Sequence, residues 1–359
     1  MKILHISPTF FDDRSFIGGG ERYAYELARA EAADNEVVLL SFAAKAASET
    51  RGKLRLEWIK GQFFGRRYPV NPFSTAFKRW LRWADVIHCH QVRTFAADLA
   101  LLSGKKVFLT DLGGGDRFAL SYLFPLLRRA NALLLISEYS RQLWEKTPGR
   151  PLRTEVIYGG VDPERFCPDP AVQKQRKILF VGRLLPHKGI DQLIDAVTPD
   201  MPLEIAGRPY RQDYFDLLKP KAEGKQVSFL TEVKDEELVR KYREAAVTVL
   251  PSVYHDCYKN YSEKPELLGL SVLESMACGT PAIVTRVASL PEIVLEGGTG
   301  FIVAENKPAG LCAKIRLLLD NPELSRHMGQ RAREEILARF TWKRAAEKCL
   351  KSYLQDERK

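Results

Sequence analysis

The chain has no paired cysteines, no long apolar run and no spaced glycine fingerprint, and each absence removes a class of protein. Its six cysteines (Cys89, Cys167, Cys257, Cys278, Cys312 and Cys349) are scattered, with no CxxC pair. That pattern excludes a disulfide scaffold and a zinc ribbon and predicts a reducing, cytoplasmic setting. Cys89, Cys278 and Cys312 sit in apolar runs, where a thiol acts as a small hydrophobe. No apolar run approaches the roughly 20 residues that a membrane span needs. The N-terminus, MKILHISPTF, reads as a strand and not as a signal peptide. Gly18-Gly19-Gly20 lacks the GxGxxG spacing of a dinucleotide fold. No Glu or further His follows His88 and His90 at ligand spacing, so no metal is expected.

At 359 residues the chain is too long for one compact core and suits two domains. A hydrophobic fraction of 45% and a charged fraction of 28% describe a soluble globular protein. The net charge of +10 is uneven. Through residue 160 there are 24 Lys and Arg against 16 Asp and Glu, so most of the excess lies in the first half. Nucleic acid, an anionic membrane surface, an acidic substrate and a basic solvated surface each account for it.

Strands and helices alternate along the chain. Apolar strands are expected at Lys2 to Ser7, Glu36 to Phe42, Leu54 to Ile59, Asp85 to His90, Lys106 to Thr110, Ala132 to Ser137 and Thr154 to Tyr158. After the first strand, the GGG loop and the helix ERYAYELARA form a phosphate-cradle arrangement, although a bare GGG also fits a mobile loop tip. Gln62 to Phe77 reads as an irregular loop. The basic-aromatic helix AFKRWLRW fits an anionic lipid surface or a helix packing its tryptophans on a sheet. Asp111-Leu112-Gly113-Gly114-Gly115-Asp116 is a glycine loop at a strand's carboxyl end, where open α/β sheets bind ligands. Pro163 to Gln175 is polar and proline-rich and reads as a linker.

The second half restarts with KILFVG and a turn holding Arg183 and Lys188, well placed for a diphosphate. DEELVRKYREA reads as an exposed helix capped by Asp235, and Tyr254 to Lys264 as a polar, aromatic, turn-like stretch that fits a mobile loop. In PELLGLSVLESMACGTPAIVTR, Glu266 and Glu274 are separated by seven residues. Eight residues of regular helix advance about 12 Å and turn about 800°. Glu266 is therefore expected in the loop, with the helix opening near Ser271 and Glu274 in its first turn. The free N–H groups there make an anion site. Two C-terminal helices, about Pro308 to Asp320 and Glu323 to Arg339, precede a last one.

In order, the GGG loop, DVIHCH, TDLGGGD, VGRLLPHKG, LPS, Glu266-x7-Glu274, CGTPAIVT, SLPEIV and GGTGFIV resemble the retaining glycosyltransferases of family 4, the glycogen synthase-like group. The likeness covers nearly the whole chain and is most specific from Lys177 to Val303. It implies a GT-B fold, two doubly wound, Rossmann-like α/β domains facing across a cleft. The domains implied are 1–165 on the acceptor side, 166–338 for the nucleotide sugar, and a helix over 339–359 crossing back. It implies that Arg183 and Lys188 neutralise the departing diphosphate, with no metal and no cofactor beyond the nucleotide-sugar co-substrate. Glu266 would contact the donor sugar, Glu274 the ribose and Val233 the base. Leu270 and Ser271 would offer backbone N–H groups, and Gly18, Gly19 and Gly20 would close on the phosphates.

The family usually has a histidine where Leu112 stands, so Asp111, Gly113 and Asp116 are the acceptor-side candidates. The implied partners are a UDP- or GDP-sugar and a hydroxyl acceptor, which is a glycan, a lipid-linked molecule or a small molecule. A role in cell-envelope or polysaccharide synthesis goes with the same likeness, while the scattered cysteines suggest a cytoplasmic location and the basic-aromatic first half suggests peripheral contact with the inner membrane face; nucleic acid is not expected. A same-fold epimerase or phosphorylase, or a non-catalytic binding module, is the alternative.

Overall fold

The computed structural model describes residues 1–7, 19–43, 45–61, 74–113, 119–122, 124–149 and 153–355. The chain divides into two units, residues 1–159 with 342–359, and residues 160–341.

The N-terminal unit runs β1 (Lys2–Ile6), α1 (Gly19–Glu31), β2 (Glu36–Ala43), β3 (Ala47–Arg51), β4 (Leu54–Lys60), α2 (Phe77–Trp83), β5 (Val86–Cys89), α3 (Phe95–Leu102), β6 (Lys106–Leu109), β7 (Ala132–Leu135), α4 (Glu138–Glu145) and β8 (Thr154–Val156). The C-terminal unit runs β9 (Gln175–Val181), α5 (Ile190–Ala196), β10 (Leu203–Ala206), α6 (Gln212–Ala222), β11 (Val227–Leu230), α7 (Asp235–Glu244), β12 (Ala245–Leu250), α8 (Leu270–Ala277), β13 (Ala282–Thr285), α9 (Leu290–Ile293), β14 (Gly300–Val303), α10 (Pro308–Asp320) and α11 (Pro322–Arg339). The last helix, α12 (Trp342–Leu354), belongs to the N-terminal unit.

Each unit is built on one twisted sheet. The N-terminal order is β3-β4-β2-β1-β5-β6-β7-β8 and the C-terminal order is β11-β10-β9-β12-β13-β14. Among these strands only the β3–β4 pair is antiparallel. The central strands are largely apolar runs, as in KILHI of β1 and AAVTVL of β12, because helices cover both faces of a parallel sheet. β3, ASETR, is polar and exposed, so no apolar run announces it, and the sequence gives no strand there. α7 starts at Asp235, but the cap position is Lys234 and carries no side-chain bond, so Asp235 supports the helix dipole from inside the first turn and does not cap it.

The N-terminal core joins Leu4, Ile6, Val38, Leu40, Ile87, Leu109, Leu133 and Trp144. Trp80 of α2 belongs to it at 5% exposure, so the helix packs this tryptophan on the sheet. Arg55 and Arg79 lie over its ring at 5.2 and 4.9 Å. All six cysteines are free; Cys89, Cys278 and Cys349 are buried while Cys312 is half-buried. Among the described residues no helix is long and apolar enough to cross a membrane. The irregular stretch expected from residue 62 lies, through residue 73, outside the described residues.

Candidate functional site

In the C-terminal unit, strand order reverses between β9 and β12, which are adjacent although helices and two strands separate them in sequence. A crevice at the carboxyl ends of strands at such a reversal is where open α/β sheets bind ligands. The chain leaving β9 carries Arg183 and the turn Pro186–Lys188, and the chain leaving β12 carries Ser252. The two are fastened by the N–H of Val253 donating to the carbonyl of His187 at 2.9 Å. Gly189 is required at this junction. Its φ is +64°, and a Cβ there would lie 2.1 Å from the carbonyl oxygen of Pro251.

Glu266 lies in the loop before α8, as its spacing from Glu274 predicts. Its Oε1 accepts from Lys188 Nζ and from Ser252 Oγ, the latter at 3.1 Å. Ser252 is fixed in turn by Thr285, whose hydroxyl donates to its carbonyl at 2.5 Å. Ser289 donates to the Glu266 carbonyl at 3.3 Å. Lys188 and Glu266 are therefore brought together from strand ends 78 residues apart in sequence. Their side chains are only 12% and 8% exposed. Arg183 is exposed, and its guanidinium sits 5.4 Å from the ring of Tyr210.

α8 opens at Leu270 behind Gly269, whose φ is +84°. A Cβ on Gly269 would meet Leu290 and Ile293 at 3.0 and 3.1 Å. No side chain caps this helix and no acid occupies its first turn, while Leu270 and Ser271 are half-buried. Its positive end is thus left for an anion. Glu274 is the fifth helical residue, in the second turn and not the first, because the helix opens one residue earlier than the sequence indicated. It is buried and accepts from the hydroxyl of Tyr242 at 2.9 Å. Val233 is half-buried in the loop between β11 and α7.

His187 had no assigned role in the sequence. Burial, and then the neighbouring Lys188 charge, lower its pKa to about 4, against the opposing pull of Glu266. The imidazole between the two cations is neutral at pH 7 and adds no repulsion there.

Tyr254 to Lys264, turn-like in sequence, is a hairpin-like turn with its own bonds. Asp256 Oδ1 accepts from the N–H groups of Tyr258 and Asn260, both at 2.9 Å. An antiparallel bridge pairs His255 with Tyr261. Asp-initiated turns were the available sequence signal.

In the N-terminal unit, Gly18, Gly114, Gly115 and Asp116 lie outside the described residues. Gly19 and Gly20 are the first residues of α1 and not part of a loop. A Cβ on Gly20 would sit 3.7 Å from Leu112, so this helix start faces that side chain. Asp111 is buried, with Oδ2 accepting from Trp144 Nε1 at 2.7 Å and Oδ1 from the Gly113 N–H at 2.9 Å. That carboxylate holds the backbone of Gly113, which has φ +87°.

His88 and His90 are joined by His5, 83 residues before His88, which the sequence reading left out. His5 and His88 are register partners on β1 and β5. His5 Nδ1 bonds His90 Nε2 at 2.8 Å, and His5 Nε2 bonds Glu31 at 2.9 Å. His88 bonds the hydroxyls of Tyr353 and Thr110, both at 2.7 Å, and Tyr353 donates to Glu31 at 3.1 Å. Burial, with the neighbouring histidines, holds the pKa values of His88 and His90 well below the ordinary value. The ligand atoms of the three histidines lie within 4.8 Å of one another, a spacing that metal clusters share. Both nitrogens of His5 and of His88 and Nε2 of His90 are engaged in hydrogen bonds, so the cluster ties β1, β5, α1 and α12 together, while the buried Nδ1 of His90 has no partner.

The Glycosyltransferase Family 4 model matches residues 17–165, and the Glycosyl transferases group 1 model matches residues 164–335. The chain is 29% identical over 277 residues to an uncharacterized glycosyltransferase of Methanocaldococcus jannaschii, a match over 74% of this chain and 73% of that one. It is 30% identical over 214 residues to a glycogen synthase of Mycobacterium tuberculosis, over 56% of this chain and 49% of the relative. The chain thus spans about half the length of that relative. Its fold matches the Anabaena protein Alr3699/HepE, solved with UDP and glucose, at a TM-score of 0.75 and 18% identity, covering 98% and 99% of the two chains. With one family model on each half and two parallel-sheet α/β units of matching fold, the chain belongs to the GT-B glycosyltransferases, family 4 in its first half and group 1 in its second.

Proposed function

We propose that the chain moves a sugar, with retention, from a UDP- or GDP-sugar to a hydroxyl acceptor, in the synthesis of a polysaccharide or glycolipid. The observation that carries this reading is the meeting of Lys188, Glu266, Ser252 and the uncapped start of α8 at the β9/β12 reversal. The Anabaena relative of this fold holds UDP and glucose, which supports a nucleotide-sugar donor.

In this reading Arg183 and Lys188 stabilise the diphosphate as it leaves. That is electrostatic work on charge that develops in the transition state, and it calls for no metal and no cofactor. Backbone N–H groups at Leu270 and Ser271 assist from the positive end of α8. Glu266 trades part of its bond to Lys188 for hydroxyls of the donor sugar. Glu274, steadied by Tyr242, holds the ribose, and the loop at Val233 receives the base. Gly19 and Gly20 serve the phosphates and Gly113 the acceptor side. The acceptor is a glycan, a lipid-linked molecule or a small molecule. Peripheral contact with a membrane surface would follow from a lipid-linked acceptor and the basic first half.

The test is the stereochemistry and the cation dependence of turnover. NMR of the product should show the anomeric configuration of the donor retained. Arg183→Ala should lower turnover by about 10²–10³-fold with little change in donor binding. An inverted product, or an unchanged rate in the variant, would remove the reading.

A further inference from the structure

We propose that the Tyr254–Lys264 hairpin is a carbohydrate-binding platform, on which Tyr258 and Tyr261 stack the pyranose rings of a glycan acceptor. The proposal rests on the glycosyltransferase reading and adds a subsite that this reading does not contain.

The hairpin is inserted between two residues of the donor site. Ser252 precedes it and Glu266 follows it, and the two bond each other at 3.1 Å. Its first residue, Tyr254, is bolted down twice. The Tyr254 N–H donates to Glu305 at 2.7 Å, and the Tyr254 hydroxyl accepts from the Ala288 N–H at 2.8 Å. The arms are closed by the Ser262 N–H donating to the Tyr254 carbonyl at 2.8 Å. The tip is closed by Asp256, with Lys259 in the left-handed region at φ +63°. The hairpin therefore presents its side chains from a fixed frame.

What it presents is aromatic and exposed. Tyr261 is 62% exposed and Tyr258 36% exposed. Tyr261 is backed by Tyr254, near-parallel at 6.2 Å, and by the His255 ring at 5.2 Å. Tyr258 is backed by the Arg211 guanidinium at 4.8 Å and by the buried Tyr214 at 6.5 Å. Neither ring is filling a core. Exposed Lys259 and Asn260 lie between them. A rigid tyrosine offers a flat apolar face and a polar tip at low entropic cost. A pyranose ring has the matching chemistry, a C–H face with hydroxyls at its rim. An aliphatic protein surface does not match, because the platform is broken up by polar side chains and contains no Leu, Ile or Val between Tyr254 and Lys264.

Saturation-transfer NMR with maltotriose, mannotriose and cellotriose as probes tests the platform without any nucleotide present. The expected result is transfer to the ring C–H protons of at least one trisaccharide. Tyr261→Ala and Tyr258→Ala should each weaken it about fivefold or more, while Tyr261→Phe, which keeps the ring, should retain it. The thermal shift given by UDP or GDP should be the same in all four proteins. No transfer from any probe to the wild type, or equal transfer to wild type and alanine variants, would overturn the proposal. So would loss of the nucleotide shift in Tyr261→Ala, which would give the hairpin to the base. A nucleotide that shifts none of the proteins would count against the donor reading and leave the saccharide result to be read by itself.

Discussion

Both units bury ionisable side chains where strand order reverses, between β1 and β5 in one and between β9 and β12 in the other. In the N-terminal unit the group is His5, His88, His90, Glu31 and Tyr353, each at most 1% exposed. These residues bond one another and Thr110, with the buried Nδ1 of His90 left without a partner. In the C-terminal unit Lys188 and Glu266 are held by few partners, Arg183 is exposed, and the helix beside them has no side-chain cap. The same topological position has been used once to join elements and once to leave charge available. Burial and perturbed titration do not by themselves mark a site. The exposed Arg183 and the uncapped helix start beside the buried pair distinguish the second position from the first.

The comparison breaks most sharply at Glu31. Glu31→Ala removes the acceptor of both His5 and Tyr353 in a fully buried setting, and each stranded group costs about 1–3 kcal/mol. A destabilisation of roughly 2–6 kcal/mol of the N-terminal unit is expected. Trp58, Trp80, Trp83, Trp144 and Trp342 are all five tryptophans of the chain, and all lie in that unit. Tryptophan fluorescence during urea unfolding therefore reads this unit alone. An unchanged midpoint would mean that the network ties nothing together.

Acid should separate the units next. Folded His88 and His90 titrate well below the ordinary 6.5. Below about pH 6.5 the unfolded chain therefore takes up more protons, and stability present above that pH is lost as pH falls. The limiting slope is about 1.4 kcal/mol per pH unit for each imidazole, so about 2.7 for the pair. His187, at about 4, adds a single imidazole's worth in the C-terminal unit between 6.5 and 4. The tryptophan-detected transition should move down with acid more steeply than one followed by circular dichroism. Parallel movement would contradict the assignment of the histidine network to the N-terminal unit's stability.

Much of this architecture was legible in the residues. Parallel strands buried on both faces are unbroken apolar runs, so KILFV and AAVTVL stand out. Glu266 could be placed in a loop because helix geometry forbids the alternative. The losses were of two kinds. Local ones came from residues whose side chains carry no apolar signal: the exposed strand β3 and the start of α1 at Gly19. The others were tertiary. His5 bonds Glu31 and His90 across 26 and 85 residues, and nothing in local pattern announces such a meeting. Asp111, an acceptor-side candidate by position, turns inward to Trp144 because that indole N–H needs an acceptor when buried.

The smallest expected effect bears on the largest claim, that the β9/β12 reversal binds a nucleotide. Thermal shifts with UDP, GDP and ADP, and with their sugars, read this directly, since a ligand at 100 times its dissociation constant adds about 2.7 kcal/mol to stability. At least one nucleotide should raise the melting temperature of the wild type. Glu274→Gln should bind that nucleotide about tenfold more weakly, a loss of about 1.4 kcal/mol, while keeping the fold through the Tyr242 bond. No shift with any nucleotide, or the same affinity in Glu274→Gln, would contradict the assignment.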